Sequence, residues 1–433
     1  MIPQDSFVVV AKIEPGGVGT LRSLLATMNF AGRTGMADPA NSLVPFGCFD
    51  TIHFARFVVL ADNTLCDRRK HYPQLDFDEP TYLCFMVDCD GKADELLARM
   101  AQKAANGLRQ IFTYCEGFNP VDLLGWLHAH RVQPSASYVN GVGRSVVQVR
   151  EEARLRGLLR DALSAISATA PQPLFAQLRR AVVPKPLTPA PPTPLGWRLR
   201  NLAHLLLPLL IAAGCIVLFH IFTIALLAAG SVLFVIALRR HEQTDPIICQ
   251  PYDPNRVALL RESEDHDVSN QYTAMGSIKP GRFRRWTEIA ILYALSWVAR
   301  HICTRGSIGR IGTIHFAHWV FLDQRRRGFF CSNYDGGHEA YMDDFINKAG
   351  FGLNLAFSSY IAYPTTNWLV ARGAWLEQDF KRFQRRHQIP TDVWYKAYPG
   401  LTARDMARNS RIRNGFEKTS MSDDEIRRWL AEI

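Results

Sequence analysis

The sequence lacks the short motifs by which many nucleotide-binding, hydrolytic and zinc-dependent proteins are recognised. Its nine cysteines include no C-x-x-C pair, and it has no Walker loop, G-x-G-x-x-G, G-x-S-x-G or H-E-x-x-H. The basic run Arg325 to Arg327 comes without an aromatic RNA-binding signature or a helix-turn-helix pattern. Nucleotide-driven chemistry, standard hydrolase chemistry, zinc-ribbon folds and nucleic-acid partners therefore have no support.

The composition is that of a folded chain. Of 433 residues, 48% are hydrophobic and 21% are charged, which excludes a disordered or fibrous protein. The 50 Lys and Arg against 40 Asp and Glu give a formal charge of +10, a moderately basic balance. The cysteine pattern suggests no disulfide framework, so reduced thiols and a cytoplasmic setting are favoured.

Charge is missing altogether from one run of 36 residues, Ala203 to Leu238. As one helix it would be about 54 Å long, against a hydrocarbon core of about 30 Å. Two helices of about 17 residues, joined near His220 to Thr223, fit better. The sequence predicts a transmembrane helical hairpin over residues 198–240, with a buried hairpin in a soluble domain or a re-entrant hairpin as the alternatives.

The flanks of this run predict its orientation and its connection to the rest of the chain. Arg198 and Arg200 precede it and Arg239 and Arg240 follow it, so the positive-inside rule puts both flanks in the cytoplasm. The expected location is the cell membrane, with both soluble parts on the cytoplasmic side. Residues 166–197 are rich in proline, which predicts an extended linker.

Landmarks recur in the same order on both sides of the hairpin. The run Thr51 to Ala55, T-I-H-F-A, is repeated identically at Thr313 to Ala317, and Asp90-Gly91 is matched by Asp335-Gly336. Pro134 is matched by Pro390 in the same order. Such recurrence indicates an internal duplication, with repeats at residues 1–165 and 271–415, a connector at 241–270 and a C-terminal helix at 416–433.

Each repeat has the periodicity of a βαββαβ unit followed by one more helix, capped by Ser145 or Thr402. The fourth strands are predicted at Arg109 to Cys115 and at Asn354 to Ile361. This is a ferredoxin-like pattern. The predicted fold class is α+β: two ferredoxin-like repeats forming an intramolecular α+β barrel, with the transmembrane hairpin inserted between them. Two chains exchanging halves, a homo-oligomer, is the alternative.

This tandem arrangement resembles the dimeric α+β barrel superfamily, which includes dye-decolourising peroxidases, chlorite dismutases and antibiotic-biosynthesis monooxygenases. The opening Ala11 to Gly16, A-K-I-E-P-G, is similar to the first strand and turn of the small monooxygenases. Asp335-Gly336 matches the end of the Gly-x-x-Asp-Gly motif beside the haem of the dye-decolourising peroxidases. The resemblance implies haem chemistry, cofactor-free oxygen chemistry or non-catalytic binding.

His53 and His315 are the leading candidates for chemistry because the duplication pairs them in matched apolar strands. A neutral imidazole can ligate haem iron or transfer protons; the alternative is a buried histidine that donates to a backbone carbonyl. Arg56 and His318 are equivalent positions on the opposite face, where they are expected either to pair with carboxylates or to cap a helix. Asp335 and His338 are acid/base candidates at the barrel mouth, or turn and cap residues.

Two further groups of polar residues are candidates for binding. Arg109 and Asn354 begin the predicted fourth strands, where a polar side chain can orient a cofactor or a ligand in an apolar cavity; hydrogen bonding within the barrel is the alternative. His266 and Asp267 belong to a compact acidic cluster that offers ligands for a divalent metal, or is a solvated loop.

These observations predict a membrane-anchored oxidoreductase, peroxidase-like or monooxygenase-like, with haem or no cofactor. Its substrate would be a hydrophobic or lipid-derived small molecule. The alternative is a non-enzymatic, membrane-tethered protein that binds lipid or acts as a scaffold.

Overall fold

The structure is a computed structural model, and it describes residues 4–75, 79–166, 170–182, 187–189, 192–249, 251–304 and 306–433. It has an α+β fold built from two sheets with helices packed outside them. The part of the chain before the charge-free run contributes β1 (Gln4–Lys12), α1 (Val18–Ala26), β2 (Gly35–Met36), β3 (Ile52–Leu60), α2 (Leu65–His71), β4 (Tyr82–Asp90), α3 (Ala93–Lys103), α4 (Ala105–Phe112), α5 (Leu123–Ala129), β5 (Ala136–Val139), α6 (Val146–Ala165) and α7 (Pro171–Ala181).

The apolar segment is helical from Leu195 to Thr244 and is called α8. The remaining elements are α9 (Pro254–Arg261), β6 (Ser269–Ser277), α10 (Arg282–His301), β7 (Ile314–Leu322), β8 (Arg327–Asp335), α11 (His338–Phe357), β9 (Thr366–Asn367), β10 (Ala371–Arg372), α12 (Glu377–His387), β11 (Val393–Lys396), α13 (Ala403–Glu417) and α14 (Asp423–Leu430).

The two main sheets each contain one short strand from the other half of the chain. One sheet has the order β1-β4-β3-β11-β2 and is mixed, because β2 runs parallel to β11; the other has the order β5-β7-β8-β6 and is antiparallel. The two short strands pair in the same register, because equivalent residues of the two halves lie opposite each other. Ala136 of β5 lies opposite Trp319, and Val393 of β11 lies opposite Phe57. The two halves of the chain are therefore tied together by an exchange of strands.

The predicted closed barrel is not found as a continuous hydrogen-bonded ladder in the part of the chain that the structure describes, and two ferredoxin-like repeats are not confirmed. The two sheets are joined instead by isolated bridges, Val9 to Arg131 and Ala274 to Gln388. Pro134 and Pro390 follow these bridges, just before β5 and β11. A proline has no N–H to donate, so the ladder is interrupted where each strand crosses between sheets.

The predicted fourth strands are wrong. Residues 105–112 form α4 rather than a strand, and the predicted strand at residues 354–361 is the end of α11 followed by a turn. In α4 the buried residues Leu108, Ile111 and Phe112 recur with helical spacing. Short apolar runs fit a strand or a helix equally well by periodicity, and here packing on the sheet selects the helix. Short strands that cross to the other sheet, β5 and β11, come later in each half.

A hydrophobic cluster fills the space between the two sheets at one end. Its side chains come from strands of both sheets, which makes it the shared core of the two halves. Its buried members are Val8, Val10, Val58, Leu60, Cys84, Met86, Met275, Val320, Leu322, Phe329, Cys331 and Ile389.

Arg56 lies beyond this cluster and connects the two sheets through hydrogen bonds. Its Nη1 donates to the Tyr272 carbonyl at 3.0 Å and to Thr273 Oγ1 at 3.1 Å. Its Nη2 donates to the Ser332 carbonyl at 3.0 Å and to Oδ1 of Asn333. Arg56 is 3% exposed, so these bonds satisfy a charged group that has left water.

The position equivalent to Arg56 in the other half is His318. Arg56 and His318, with their partners, form a polar layer between the two sheets. His318 Nε2 lies 2.7 Å from Asp88 Oδ1, and its Nδ1 lies 2.9 Å from Ser137 Oγ. Asn333 donates to Asp88 Oδ2 at 3.4 Å, which links this pair to Arg56. The expected pairing with a carboxylate is thus confirmed for His318.

Both expected N-caps are confirmed. Ser145 begins α6 and Thr402 begins α13, each in a capping box with the residue three positions later. These two helices pack together with α7 and α14 in a separate cluster. The extended linker predicted at residues 166–197 is only partly correct, because Pro171–Ala181 is helical, with Pro171 at the first helical position, where no N–H is needed. Residues 167–169, 183–186 and 190–191 of this stretch lie outside the described residues.

Two stretches of α8 are long and apolar enough to cross a membrane: Leu195–Val217 and Phe222–Thr244, with mean hydropathies of 1.7 and 2.2. Their most apolar windows are 0% and 6% buried. The Thr223 hydroxyl, in the second stretch, donates to the Cys215 carbonyl, in the first, at 3.0 Å. Eight residues of straight helix rise about 12 Å, so the chain bends sharply between these two residues.

We expect Arg56→Met to lower the free energy of unfolding by about 3 kcal/mol, because several hydrogen bonds from a buried charged donor are lost together. Urea unfolding of the full chain in mild detergent, followed by tryptophan fluorescence, measures this loss. Arg99→Met, at an exposed position of α3, is the control and should change stability by less than about 0.5 kcal/mol. Equal effects of the two changes would contradict the role given to Arg56.

Candidate functional site

His53 and His315 occupy the same special backbone position in the two halves. The pairing of β3 with β4 shifts between Ile52 and Phe54, and that of β7 with β8 shifts between Ile314 and Phe316. Each histidine is thus the extra residue of a β-bulge. A bulge re-aims the side chain of the extra residue away from the regular alternation of the strand.

Each histidine binds an aspartate at the end of the neighbouring strand. His53 Nε2 lies 3.0 Å from Asp90 Oδ1, and His315 Nε2 lies 2.6 Å from Asp335 Oδ1. Both histidines are at most 2% exposed. The aspartates belong to the repeated Asp-Gly pairs, so the duplication reproduces the whole histidine–aspartate dyad.

The second oxygen of each aspartate holds the start of a helix. Asp90 Oδ2 accepts the N–H of Val146, the first residue of α6, and Asp335 Oδ2 accepts that of Ala403, the first residue of α13. Both distances are 2.8 Å. A helix N-terminus carries unsatisfied N–H groups and partial positive charge, which stabilise a carboxylate there.

Burial raises the pKa of Asp335, but this effect is more than offset. The imidazole of His315, the hydroxyl of Ser269 and the N–H of Ala403 all favour the ionised carboxylate, and the pKa ends below its usual value. Asp335 is therefore an ionised partner of His315 rather than a proton donor near neutral pH.

The two dyads meet through aromatic rings. The centroids of His53 and Phe316 are 5.4 Å apart, as are those of Phe54 and His315, and Phe54 lies 5.7 Å from Phe316. This reciprocal contact is the pattern of an interface with twofold symmetry, in which residue i meets j and j meets i. The dyads therefore lie on either side of a pseudo-twofold axis.

Tyr398 breaks this symmetry. Its hydroxyl lies 3.2 Å from His53 Nδ1, so both ring nitrogens of His53 are engaged. Burial raises the pKa of Tyr398 well above its usual value, and nearby aspartates add to the effect. The main-chain bonds from Asn140 N–H to His315 and from Ala397 N–H to His53 align the two halves, and they put a glycine, Gly141, at the position equivalent to Tyr398.

Lys396 is the second asymmetric residue. Its Nζ donates to Ser269 Oγ at 2.7 Å, to Asp267 Oδ2 at 2.8 Å and to the Leu401 carbonyl at 2.9 Å. Burial lowers the pKa of Lys396 despite these partners. The same alignment puts Val139 at the equivalent position in the other half.

These groups form a hydrogen-bonded chain, Tyr398 to His53 to Asp90, which is able to pass a proton between its ends. Tyr398 is 3% exposed. Two surface clefts, with volumes of 360 and 650 Å³, are lined by neither histidine and not by Tyr398.

His53 does not fit an axial haem ligand, because such a ligand needs a free ring nitrogen that faces the iron and both of its nitrogens have partners. His315 Nε2 is bound to Asp335, which leaves Nδ1. The His315 ring is 2% exposed and packs against Phe54 and Tyr398, with centroids 5.4 and 6.3 Å apart, so its described surroundings do not fit a haem plane.

His338 does not join the dyads. It begins α11, is 3% exposed, and contacts the Tyr272 ring at 5.9 Å and Glu339 Oε1 at 3.7 Å. Burial lowers the pKa of His338. The neighbouring imidazole of His338, opposed by burial, helps to lower the pKa of Glu339 to about 2.

The two residues expected to bind a cofactor lie on helices and have structural partners. Arg109 is on α4, where its Nε donates to the Pro120 carbonyl at 2.8 Å. Asn354 is on α11 and is fully buried; its amide donates to the carbonyls of Val370 and Arg372. Asn354 thus holds the loop around β10.

The expected metal ligands have other partners. Asp267 binds Lys396 and the N–H of Gly400, and His266 Nε2 lies 2.9 Å from the Glu262 carbonyl. Among the described residues there is no group of three or more His, Cys, Asp or Glu side chains that could hold a metal ion.

Sequence reasoning found both histidines through the duplication and Asp335 through its Asp-Gly pair between a strand and a helix, and the repeat of that pair could have identified Asp90 as a partner. It missed Tyr398 and Lys396, because these residues have no counterpart in the other half. Comparisons with models of known families, with curated proteins and with solved structures find no match to this chain.

We expect Asp335→Asn to lower the free energy of unfolding at pH 7 by about 1–3 kcal/mol, because a charge-assisted bond to a buried imidazole is weakened. The folded-state pKa of Asp335 is lowered, so its contribution is present above an unfolded pKa of about 3.9 and is lost as the pH falls through the folded value.

Urea unfolding at pH 7 and at several values below pH 4 tests this. The wild type should lose more stability than Asp335→Asn in that acid range, and Asp161→Asn, at an exposed position of α6, should behave like the wild type. Parallel curves for the wild type and Asp335→Asn would contradict the pairing.

Proposed function

We propose that this chain is a non-enzymatic, membrane-tethered protein. Its hairpin enters the bilayer, and its two-sheet domain lies on the membrane surface and binds it. The observation that carries the proposal is the position of α10. One end of α10 contacts the start of the charge-free run, and its other end contacts the end of that run.

The contacts at the two ends of α10 require the apolar segment to fold back. His204 Nδ1 lies 2.8 Å from His301 Nε2, and the ring of His241 stacks on Phe283 at 5.0 Å. Along a straight helix, His204 and His241 would be about 56 Å apart. Phe283 and His301 are only about 27 Å apart along α10, which supports a hairpin.

A hairpin inserted in a bilayer returns both of its ends to the same membrane surface. Because α10 connects those ends, its axis would lie parallel to the membrane. Its uncovered face carries Trp286 and Tyr293, 63% and 56% exposed, with exposed Arg282 and Arg300 towards its two ends. Aromatic and basic residues of this kind favour the headgroup region.

Two cation–π contacts occur where the hairpin meets the domain. The Arg300 guanidinium lies 5.9 Å from the Trp197 ring, and that of Arg239 lies 4.5 Å from the Trp368 ring. Trp368 is 53% exposed. Tryptophans beside arginines at both ends of the apolar segment support an interfacial position for this face of the domain.

The proposed side of the membrane is the cytoplasmic one. Basic residues flank both ends of the charge-free run, which agrees with the positive-inside rule. All nine cysteines are free, which suits a reducing compartment.

We further infer that the two halves are ferredoxin-like repeats that surround one core, as in the dimeric α+β barrel superfamily. The exchange of β5 and β11, their matched registers and the bridges at Val9 and Ala274 support this inference. We propose the intramolecular arrangement, in which β5 and β11 are exchanged within one chain.

An oxidoreductase is the second candidate, and one observation favours it. The chain from Tyr398 through His53 to Asp90 is suited to proton transfer in cofactor-free oxygen chemistry on a hydrophobic substrate. His315 would then assist as an acid/base group, with Asp335 as its ionised partner. His338 would take no part, because it lies apart from both dyads. Membrane binding without catalysis remains the first proposal, because His53, His315 and Tyr398 are at most 3% exposed.

The membrane position of α10 is testable by the depth of spin labels in the full chain in phospholipid nanodiscs. We expect labels at Trp286 and Tyr293 to be reached by oxygen more readily than by a polar nickel complex. A label at Val121, which is 89% exposed on the outer side of the other sheet, is the control and should show the reverse. Equal accessibility at Trp286 and Val121 would contradict the proposal.

The two candidate functions differ in oxygen consumption and in the effect of Tyr398→Phe. Neither predicts a Soret band when haem is supplied during expression, because both ring nitrogens of His53 are engaged and His315 is buried against Phe54. We also expect no oxygen or peroxide consumption above background with a dye reductant. Consumption that disappears in folded Tyr398→Phe would favour the oxidoreductase over the binding protein.

A further inference from the structure

We propose that the 650 Å³ cleft between α6 and α13 binds a small, uncharged, hydroxyl-rich molecule such as a sugar or another polyol. The cleft lies between the start of α6, the loop before it and one face of α13, and the remaining described lining residues are Leu187, Pro189, Thr304 and Gly306. Its volume is within the range of about 300–1,000 Å³ typical of small-molecule sites. This inference goes beyond membrane anchoring and does not depend on it.

Three charged side chains, Arg144, Glu152 and Arg413, face one another in the cleft without hydrogen bonds to one another. Glu152 Oε2 lies 3.9 Å from Arg144 Nε, and Glu152 Oε1 lies 3.9 Å from Arg413 Nη1. Both distances are beyond hydrogen-bond range. A ligand or water atom between these groups would satisfy them.

Glu152 and Arg413 are deeply buried, and each has a polar side-chain atom without a described hydrogen-bond partner. Glu152 is 4% exposed and Arg413 is 7% exposed. Glu152 Oε2 and Arg413 Nη1 have no hydrogen-bond partner among the described residues. An unsatisfied buried polar atom costs about 1–3 kcal/mol, and more when it is charged, so the cleft gains from any occupant that both donates and accepts.

The remaining contacts of Arg413 fix its orientation. Its Nε lies 3.0 Å from Glu417 Oε1, and its Nη2 donates to the Thr188 carbonyl at 2.8 Å. These bonds leave only Nη1 for the cleft. The donor is therefore held in place before a ligand arrives, which reduces the entropy lost on binding.

The chemistry of the lining favours a neutral polyol. Arg144 and Arg413 are balanced by Glu152 and Glu417, so an anion would meet Glu152 and a cation would meet two guanidinium groups. Ser410, Asn414 and Thr304 add hydroxyl and amide groups. None of the described lining residues is aromatic, so a flat base has no ring on which to stack.

The charged set is not required by the duplicated fold. With Ser145 aligned on Thr402, the positions equivalent to Arg144 and Glu152 are Leu401 and Asn409. One half therefore folds without this pair. Buried charges that are not hydrogen-bonded to one another are a poor source of stability, and a bound ligand would give these charges a role.

The test is saturation-transfer NMR on the full chain in detergent micelles, with D-glucose, myo-inositol and glycerol as probes. We expect at least one probe to bind, and Glu152→Gln to weaken that binding at least tenfold. Asp161→Asn, on the same helix, is the matched control and should not change binding. Thermal unfolding checks that each variant is folded.

Ser410→Tyr places a large side chain in the cleft from α13 and leaves the charged residues in the sequence. It therefore provides a second test if Glu152→Gln does not fold. The proposal is overturned if no probe binds to the wild type, or if binding survives in a folded cleft variant. It is also overturned if inorganic phosphate binds, and binds more tightly to Glu152→Gln, since the cleft would then be an anion site.

A polyol reaches the cleft either free in solution or as the headgroup of a membrane lipid. Nanodiscs of phosphatidylcholine with and without monoglucosyl diacylglycerol separate these sources. Loss of the D-glucose signal only in the glycolipid discs identifies the lipid headgroup, and an unchanged signal identifies the free sugar.

Discussion

Contact with water is unfavourable for the apolar side chains of the charge-free run of 36 residues, and the domain contacts residues near both of its ends. The apolar windows of α8 are almost wholly unburied, so the domain itself does not cover them. At about 25 cal/mol per Å² of apolar surface, two exposed stretches of 23 residues each favour transfer into a bilayer strongly. Because α10 contacts both ends, it couples the domain to whatever plane the hairpin defines.

The exchange of β5 and β11 joins the two halves of the chain into one structure. Each half places a four-residue strand in the sheet of the other half, and the shared core and the polar layer around Arg56 lie between the sheets. The dyads extend this connection, since Asp90 and Asp335 each join a histidine on a bulge to the first turn of a helix. Their carboxylates position α6 and α13, the helices that also form the walls of the polar cleft.

Prediction from sequence succeeded where the duplication gave two independent examples. The identical T-I-H-F-A runs located β3, β7 and both histidines, and the paired caps Ser145 and Thr402 located two helices. Prediction failed for the fourth strands, because short apolar runs such as the one around Leu108 fit a helix equally well. The crossing strands β5 and β11 are only four residues long, and tertiary pairing determines them.

The residues that make the two halves different were the hardest to predict. Tyr398, Lys396 and Glu152 have no counterparts in the other repeat, so a search for recurrence passes over them. Their importance depends on burial and on partners far away in sequence, such as Asp267 for Lys396 and Arg413 for Glu152.

The distance between the two ends of the hairpin tests the account most directly. Spin labels attached to non-native ketone side chains at Leu202 and Arg240 leave the native thiols untouched, and pulsed electron resonance on the full chain in nanodiscs measures their separation. A folded-back segment held by α10 predicts a distance near 27 Å, the length of α10 between its two contacts. A distance near 57 Å, that of a straight helix, would contradict the hairpin and the membrane position that follows from it.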